Sequence, residues 1–438
     1  MIEKDYKQLE KDFANVDIVQ VFTTDLNGRI ITLQVNPRNV KSFFYRGIGF
    51  DGSSVPGHGT VDASDKLIIP LSETFRSIEF ATEKLGFLIG RIAEEHGEDS
   101  DTDPRSLLER ILDQAKNEFG IRFLSGPEHE FFLLTGDVFS KDIHSDNAGY
   151  FHADPRDKGE SVRKKIVSTL EKNGIRFEKM HHEVTPSQHE INLGCLDPLQ
   201  AADRTVLFTY VTHRVAYENN LHATFMPKPF NGYNRNALHI HLSALDMDGN
   251  PLFYSEDGEN NLSQMAKYFI GGILKYARET SIIMAATFNS YKAYVINMEA
   301  PIVRGWGYKN RSSMIRIPYS KDPEDKRIEI RSPDPSGNIY LQMATLVAMG
   351  LEGIRRKEDC GIPDVGSNYD KKYPKKLWDT NFLPRSMYEA LVEAEQSKFL
   401  KTTLGNNLFE QYINLKIEEW EGYRTYVTPR EHKNNLST

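Results

Sequence analysis

The sequence is poor in cysteine. Only Cys195 and Cys360 occur in 438 residues, which argues against a disulfide framework or a thiolate metal site and for two reduced thiols. It has no apolar run of membrane-spanning length, and no charged–apolar–small leader opens it. It also lacks a basic block: 54 Lys and Arg stand against 62 Asp and Glu, giving a net charge of −8 spread along the chain. A nucleic-acid binder needs a basic face for phosphates, so neither nucleic acid nor membrane is an expected partner. No G-x-x-x-x-G-K-[ST] and no H-E-x-x-H occurs. Gly47-Ile48-Gly49-Phe50-Asp51-Gly52 fits G-x-G-x-x-G, but Ser53-Ser54-Val55-Pro56-Gly57 follows where a helix would be required. These absences leave a soluble, cytoplasmic chain of two or three domains, with 39% apolar residues to build a core.

What is present divides near residue 100. Ile18–Thr23 and Ile30–Val35 alternate in polarity around Asp25-Leu26-Asn27-Gly28, a hairpin signal. The polar run Glu94–Asp101 reads as a surface linker. Asp103-Pro104 then supplies a helix N-cap and first turn. Leu107, Leu108, Ile111, Leu112 and Ala115 form an apolar stripe that Gly120 ends. Gly-Ile-Arg-Phe occurs after this helix at 120–123, and again at 174–177 after a second amphipathic stretch at 160–172. The echo suggests a helix–strand unit used twice in an α+β sheet. Further helices are expected near 263–278, 338–357 and 384–397.

Four segments share one pattern. In Gly126-Pro127-Glu128-His129-Glu130-Phe131-Phe132-Leu133, the two glutamates fall on one face of a strand. Gln188, Glu190 and Asn192 align against Ile191 and Leu193. His239, His241 and Ser243 align against Leu238, Ile240 and Leu242, and Arg327, Glu329 and Arg331 against Ile328 and Ile330. A single alternating segment is ordinarily a solvated sheet face. Here the polar rows are rich in Glu and His and nearly free of Lys, and a flanking turn adds Glu183. Neighbouring carboxylates repel unless a cation compensates them, and Mg2+ or Mn2+ prefers such oxygen ligands with occasional imidazole. Two or three divalent ions would offset five glutamates. Arg311, Arg316, Arg327 and Arg331 lie within twenty-one residues. Beside such a cluster they suit a clamp for a transferring phosphate.

These segments resemble the glutamine synthetase family, type I of bacteria and archaea. The resemblance covers nearly the whole chain. It includes Phe50-Asp51-Gly52-Ser53-Ser54, the Glu128/Glu130 segment, Gly149-Tyr150-Phe151, His181-His182-Glu183-Val184 and Met226-Pro227-Lys228-Pro229. It continues through Asn289-Ser290-Tyr291-Lys292, Glu299-Ala300-Pro301, Asn310-Arg311-Ser312 and Arg327–Pro335. It implies an α+β fold: a β-grasp domain over 1–100, then a catalytic domain over 101–438 with a curved half-barrel sheet. It implies an assembly of two stacked hexameric rings, a homododecamer. The implied chemistry uses ATP to phosphorylate a carboxylic acid and an amine to displace the phosphate, which makes an amide. One metal would sit on Glu130, Glu183 and Glu190, and a second on Glu128, His239 and Glu329. Arg311 and Arg331 would hold the moving phosphoryl group. His241, Ser243, Arg316 and Arg327 would face ATP. Asp51 of a neighbouring subunit would bind the incoming ammonium, and Glu299 would sit on a flap that keeps water from the acyl phosphate. Tyr150, Asn234, Arg235, Ala293 and Arg331 fall at the acid-binding positions.

The match departs from the family where the acid is gripped. The usual N-S-Y-K-R-L-x-P-G-Y-E-A-P reads Asn289-Ser290-Tyr291-Lys292-Ala293-Tyr294-Val295-Ile296-Asn297-Met298-Glu299-Ala300-Pro301. The family's N-G-S-G-M-H reads Asn234-Arg235-Asn236-Ala237-Leu238-His239, and Glu324 replaces a usual basic residue. The joint loss of the flap arginine and Pro-Gly-Tyr points toward altered acid specificity, unless Arg235 restores the contact. The N-L-Y sequence that carries adenylylation is absent, so that control is not expected. The alternative is a catalytically silent homologue acting as scaffold or regulator.

Overall fold

A computed structural model describes residues 10–136, 143–296, 298–369 and 379–437. The first sheet holds β1 (Ile18–Thr24), β2 (Ile30–Val35), β3 (Ile48–Asp51), β4 (Asp65–Glu79) and β5 (Lys84–Glu94), in the order β2-β1-β5-β4-β3. β1 and β5 run parallel, and the other neighbours are antiparallel. The expected hairpin forms: Gly28 takes φ +82° in the turn, a value open to glycine without strain. Alternation sends Val19, Val21 and Leu88 into a small cluster with Phe13 and Val40. The opposite face sends Phe22, Phe87 and Ile89 into the main core.

That core runs without a break into the rest of the chain. Phe22 stacks on Phe87 and meets Tyr210 edge-on, with ring centroids 4.8 Å apart. The stretch 94–101 is no free linker. It folds back on β5 through Glu94 N, which donates to Glu98 O, and Ser100 N, which donates to Ile92 O, and Ser100 is fully buried.

The second sheet contains β6 (Arg122–Leu134), β7 (Phe177–His182), β8 (Gln188–Leu193), β9 (His222–Thr224), β10 (Leu238–Leu245), β11 (Trp306–Tyr308), β12 (Ile315–Ile317) and β13 (Ile328–Ile330). Its order is β11-β12-β13-β10-β6-β8-β7, with β9 beside the far end of β6. The helices Pro104–Phe119 and Pro198–Glu218 cover its apolar face. The sequence echo is structural. The helices Pro104–Phe119 and Glu160–Glu171 are each followed by a left-handed glycine, Gly120 at φ +65° and Gly174 at φ +74°. Each then buries its isoleucine, Ile121 or Ile175, and feeds a strand of this sheet. The expected helices near 263, 338 and 384 appear as Gln264–Tyr276, Ile339–Arg356 and Met387–Glu395.

Candidate active site

Strand register brings the four polar rows together. His239 on β10 faces Glu128 on β6, and Glu130 on β6 faces Glu190 on β8. His181 on β7 faces Glu190, while His241 faces Glu329 and Glu329 faces Arg316. Apolar partners of the same strands, such as Ile240 opposite Ile330, point to the core. The polar face floors a cavity of about 430 Å³. Glu128, Glu130, Glu183, Glu190, His239, Glu299, Arg311, Arg316, Arg331, Tyr150, Asn234 and Arg235 all line it. A second cavity of about 570 Å³ adjoins it at Glu128 and Lys179, and His241, Ser243 and Arg327 line that one.

Most predicted site residues therefore converge. Asp51 does not. It is exposed in the first sheet's β3, and its carboxylate accepts from Ser53 N and from the hydroxyls of Ser53 and Ser54. Ala293 is buried and lines neither cavity. Asn297 lies outside the described residues. Both cysteines are free thiols, and Cys195 borders the second cavity.

The carboxylates differ sharply in environment. Glu190 is pushed up to about 8 by burial and by the nearby Glu128 and Glu183. Burial and the charges of Glu183 and Glu190 also push Glu130 well up, although Ala237 N donates to its carboxylate at 2.8 Å and Gln188 Nε2 at 3.2 Å. Burial alone would raise Glu128 and Glu329 as well. Hydrogen bonds from His239 and His241 outweigh it at Glu128, which is held below the usual range. At Glu329, Arg331, His241, His239 and Arg316 outweigh it and hold the group near 2. Arg316 and Arg331 both clasp Glu329. His239 falls to about 4 through burial and the repulsion of Arg331. Its Nδ1 lies 3.2 Å from Glu128, and its Nε2 is buried without a hydrogen-bond partner among the described residues.

Of three groups of possible metal ligands among the described residues, two lie on this face, Glu128–His241–Glu329 and His181–Glu183–Glu190; the third is the buried Asp146–Asp157–His182–His189. The composition of the first two differs slightly from the sets the family resemblance implied. His241 stands in place of His239 in one, and His181 in place of Glu130 in the other, where Ala237 N and Gln188 Nε2 hold the Glu130 carboxylate. His181 was not singled out from the sequence, although Lys179, His181 and Glu183 show the same two-residue spacing. His181 Nε2 lies 2.8 Å from Glu183. Lys179 places its ammonium 3.6 Å from Glu128 and 3.9 Å from Glu190, where it partly neutralises both. Tyr369 was also missed. It lines the first cavity from a loop without periodicity, and its hydroxyl donates to Arg311 O at 2.9 Å. Glu299 is tied to Asn234 Nδ2 at 2.9 Å.

Among the described residues, no helix is long and apolar enough to cross a membrane. Two family models match the chain in tandem: "Glutamine synthetase, beta-Grasp domain" over residues 15–95 and "Glutamine synthetase, catalytic domain" over 101–435. The chain is 37% identical over 430 residues to the glutamine synthetase of Methanosarcina mazei, covering 97% of this chain and 95% of that protein. It is 36% identical over 445 residues to that of Mycobacterium tuberculosis, covering 99% of each. A solved structure described as a "GmaS/ADP complex" superposes with TM-score 0.90 at 28% identity, over 98% of this chain and 99% of the other. The Plasmodium falciparum glutamine synthetase does so with TM-score 0.88 at 25% identity, over 99% and 98%. With a β-grasp sheet, an acid-floored catalytic sheet and matches to both family domains, the chain belongs to the glutamine synthetase family of ligases.

Proposed function

We propose that this protein is an ATP-dependent ligase that activates a carboxylic acid as an acyl phosphate and joins it to ammonia or an amine. The observation that carries the reading is the pair of adjoining cavities. One is walled by carboxylates and arginines, and the other by His241, Ser243 and Arg327. The donor set fits hard divalent cations: clustered glutamates repel one another, and His239 Nε2 has no protein partner among the described residues. Glu130, Glu183 and Glu190 would hold one Mg2+ or Mn2+, with His181 orienting Glu183. Glu128, His239 and Glu329 would hold another, and a third ion is compatible with this charge. When bound, such ions neutralise phosphate charge and polarise the transferring group.

The chain's own groups do the remaining work. Arg316 and Arg327 would receive the nucleotide phosphates, and Arg311 and Arg331 the transferred phosphoryl group. Asn234 holds Glu299 over the first cavity, where Glu299 would shield a hydrolysable acyl phosphate and help bind the ammonium. Asp51 would complete the amine site of a neighbouring subunit in a ring-shaped homo-oligomer, a dodecamer by family resemblance. A silent scaffold has no physical need for this many buried acids, so that reading is not favoured.

The test is phosphate release from ATP with a panel of acids and amines, Mg2+ held limiting. Release should require both an acid and an amine, and hydroxylamine should trap the activated acid as a hydroxamate. His239→Ala should abolish release while the circular dichroism spectrum stays unchanged. Absence of acid-dependent release across the panel would refute the ligase reading.

A further inference from the structure

Three arginines around the acid face are hydrogen-bonded in place. Arg316 and Arg331 clasp Glu329, and Arg327 donates to His241 Nδ1 at 3.2 Å and to Asp325 O at 3.0 Å. Lys179 is not. Its ammonium stands 3.6 Å from Glu128 and 3.9 Å from Glu190, beyond hydrogen-bond reach of either, and its side chain is 55% exposed. An ammonium on a flexible four-carbon stem can change partners in a way a clasped guanidinium cannot.

A β-bulge brings Lys179 to this face. Phe177 on β7 faces Leu193 on β8 and Lys179 faces Asn192, so two residues of β7 pass one of β8. In a regular strand Lys179 would share the face of Phe177, which packs against the main core. The bulge shifts the alternation by one residue and re-aims the side chain. In the resulting register Asn192 lies between Lys179 and Glu128, and His181 faces Glu190 one step along.

The ammonium arrives at a junction in two senses. Glu128 and Glu190 belong to different metal sets under the proposed function, so one cation spans both. Among the described residues, only Glu128 and Lys179 line both cavities, the acid-walled one and the one with His241, Ser243 and Arg327. Two divalent ions balance Glu128, Glu130, Glu183 and Glu190, because Glu329 already has its arginines. Ions on these glutamates repel the ammonium and take its anions. Lys179 is then a cation without a partner at the passage between the chambers, where a phosphate has to lie to be transferred from one to the other.

We infer that Lys179 is an exchangeable cation: it stands in for metal at Glu128 and Glu190 in the empty site, and serves the nucleotide phosphates once the ions are bound. The inference rests on the ligase reading and adds to it a residue that couples metal loading to nucleotide binding.

The two roles predict effects of opposite sign. Mn2+ binding without nucleotide, read from the free-ion electron paramagnetic resonance signal, should tighten by about 3- to 5-fold in Lys179→Met, which removes a competing charge of an exposed pair. Binding of the non-hydrolysable analogue adenylyl imidodiphosphate at saturating Mn2+, read by calorimetry, should weaken by about 10-fold in the same variant. Lys179→Arg should keep both constants within about 3-fold of wild type, since it keeps the charge. A partly unfolded variant cannot bind Mn2+ more tightly, so damage to the fold does not imitate the first effect. Unchanged or weaker Mn2+ binding in Lys179→Met would overturn the assignment, as would unchanged analogue binding. So would Lys179→Arg behaving like Lys179→Met, because charge would then not be the cause. Wild type that binds neither Mn2+ nor the analogue would instead refute the ligase reading, and the assignment with it.

Discussion

Asp51 stands apart from the carboxylates of the cavity, and its own geometry says why it can. Three donors from Ser53 and Ser54 hold its pKa down on an exposed turn, so it is a fixed anion that another surface can use. If it serves a neighbouring subunit, Asp51→Ala and Glu329→Ala chains should each be inactive. Mixed and reassembled, they should regain part of the activity through hybrid sites. No recovery after exchange verified by mass spectrometry would show that Asp51 does not complete a neighbouring subunit's site. At this scale the sequence was informative where side chains alternate: period-two rows exposed Glu128, Glu130, Glu190, His239, His241 and Glu329 before any coordinates. It was silent on Tyr369, whose loop has no period, and on the carbonyl-bound state of Arg235, which depends on Arg331 and Ser332 nearly a hundred residues away.

The helix Ile339–Arg356 shows how one element locks the two halves of the chain. Its N-cap, Asn338, accepts from Tyr340 N at 3.0 Å and Leu341 N at 3.3 Å. The same amide donates to Thr24 Oγ1 at 3.0 Å and Asp25 O at 2.9 Å, at the end of β1. Asn338→Ala should therefore lose a cap and strand two buried acceptors, costing about 2–4 kcal/mol. Urea unfolding would measure it, and a loss below about 0.5 kcal/mol would show that the contacts are replaced by water. The long amphipathic helices and the first hairpin were legible from capping residues and stripes. The strands β9, β11, β12 and β13 span only three residues each. Segments that short carry too little pattern to be bounded without their partners.

For the whole molecule, the junction between its two parts is one point of acid sensitivity. His58 is almost fully buried there, with Nδ1 3.2 Å from Thr102 Oγ1 and Nε2 3.3 Å from Thr24 O. Burial lowers it from 6.5 to about 4, opposed by the Thr24 carbonyl and aided by Lys66. The unfolded chain thus takes up a proton near 6.5 while the folded chain refuses it until about 4. Stability from this group is complete above the first value and falls as pH drops through the window, by up to about 3 kcal/mol. Urea midpoints of wild type and His58→Gln, compared between pH 7 and 4.5, should converge as pH falls. Parallel curves would mean that His58 titrates normally.

Lys416 gives the same junction a place in time. Its ammonium is buried and donates to Asn27 Oδ1 at 2.7 Å, across 389 residues of chain. On a ribosome adding roughly 5–20 residues per second, the first hairpin waits roughly 20–80 s for that partner. Until then the turn that carries Asn27 lacks its late partner, although Tyr210, which meets Phe22 edge-on, has long emerged. The turn of the first hairpin is thus completed by one of the last helices of the chain to be made.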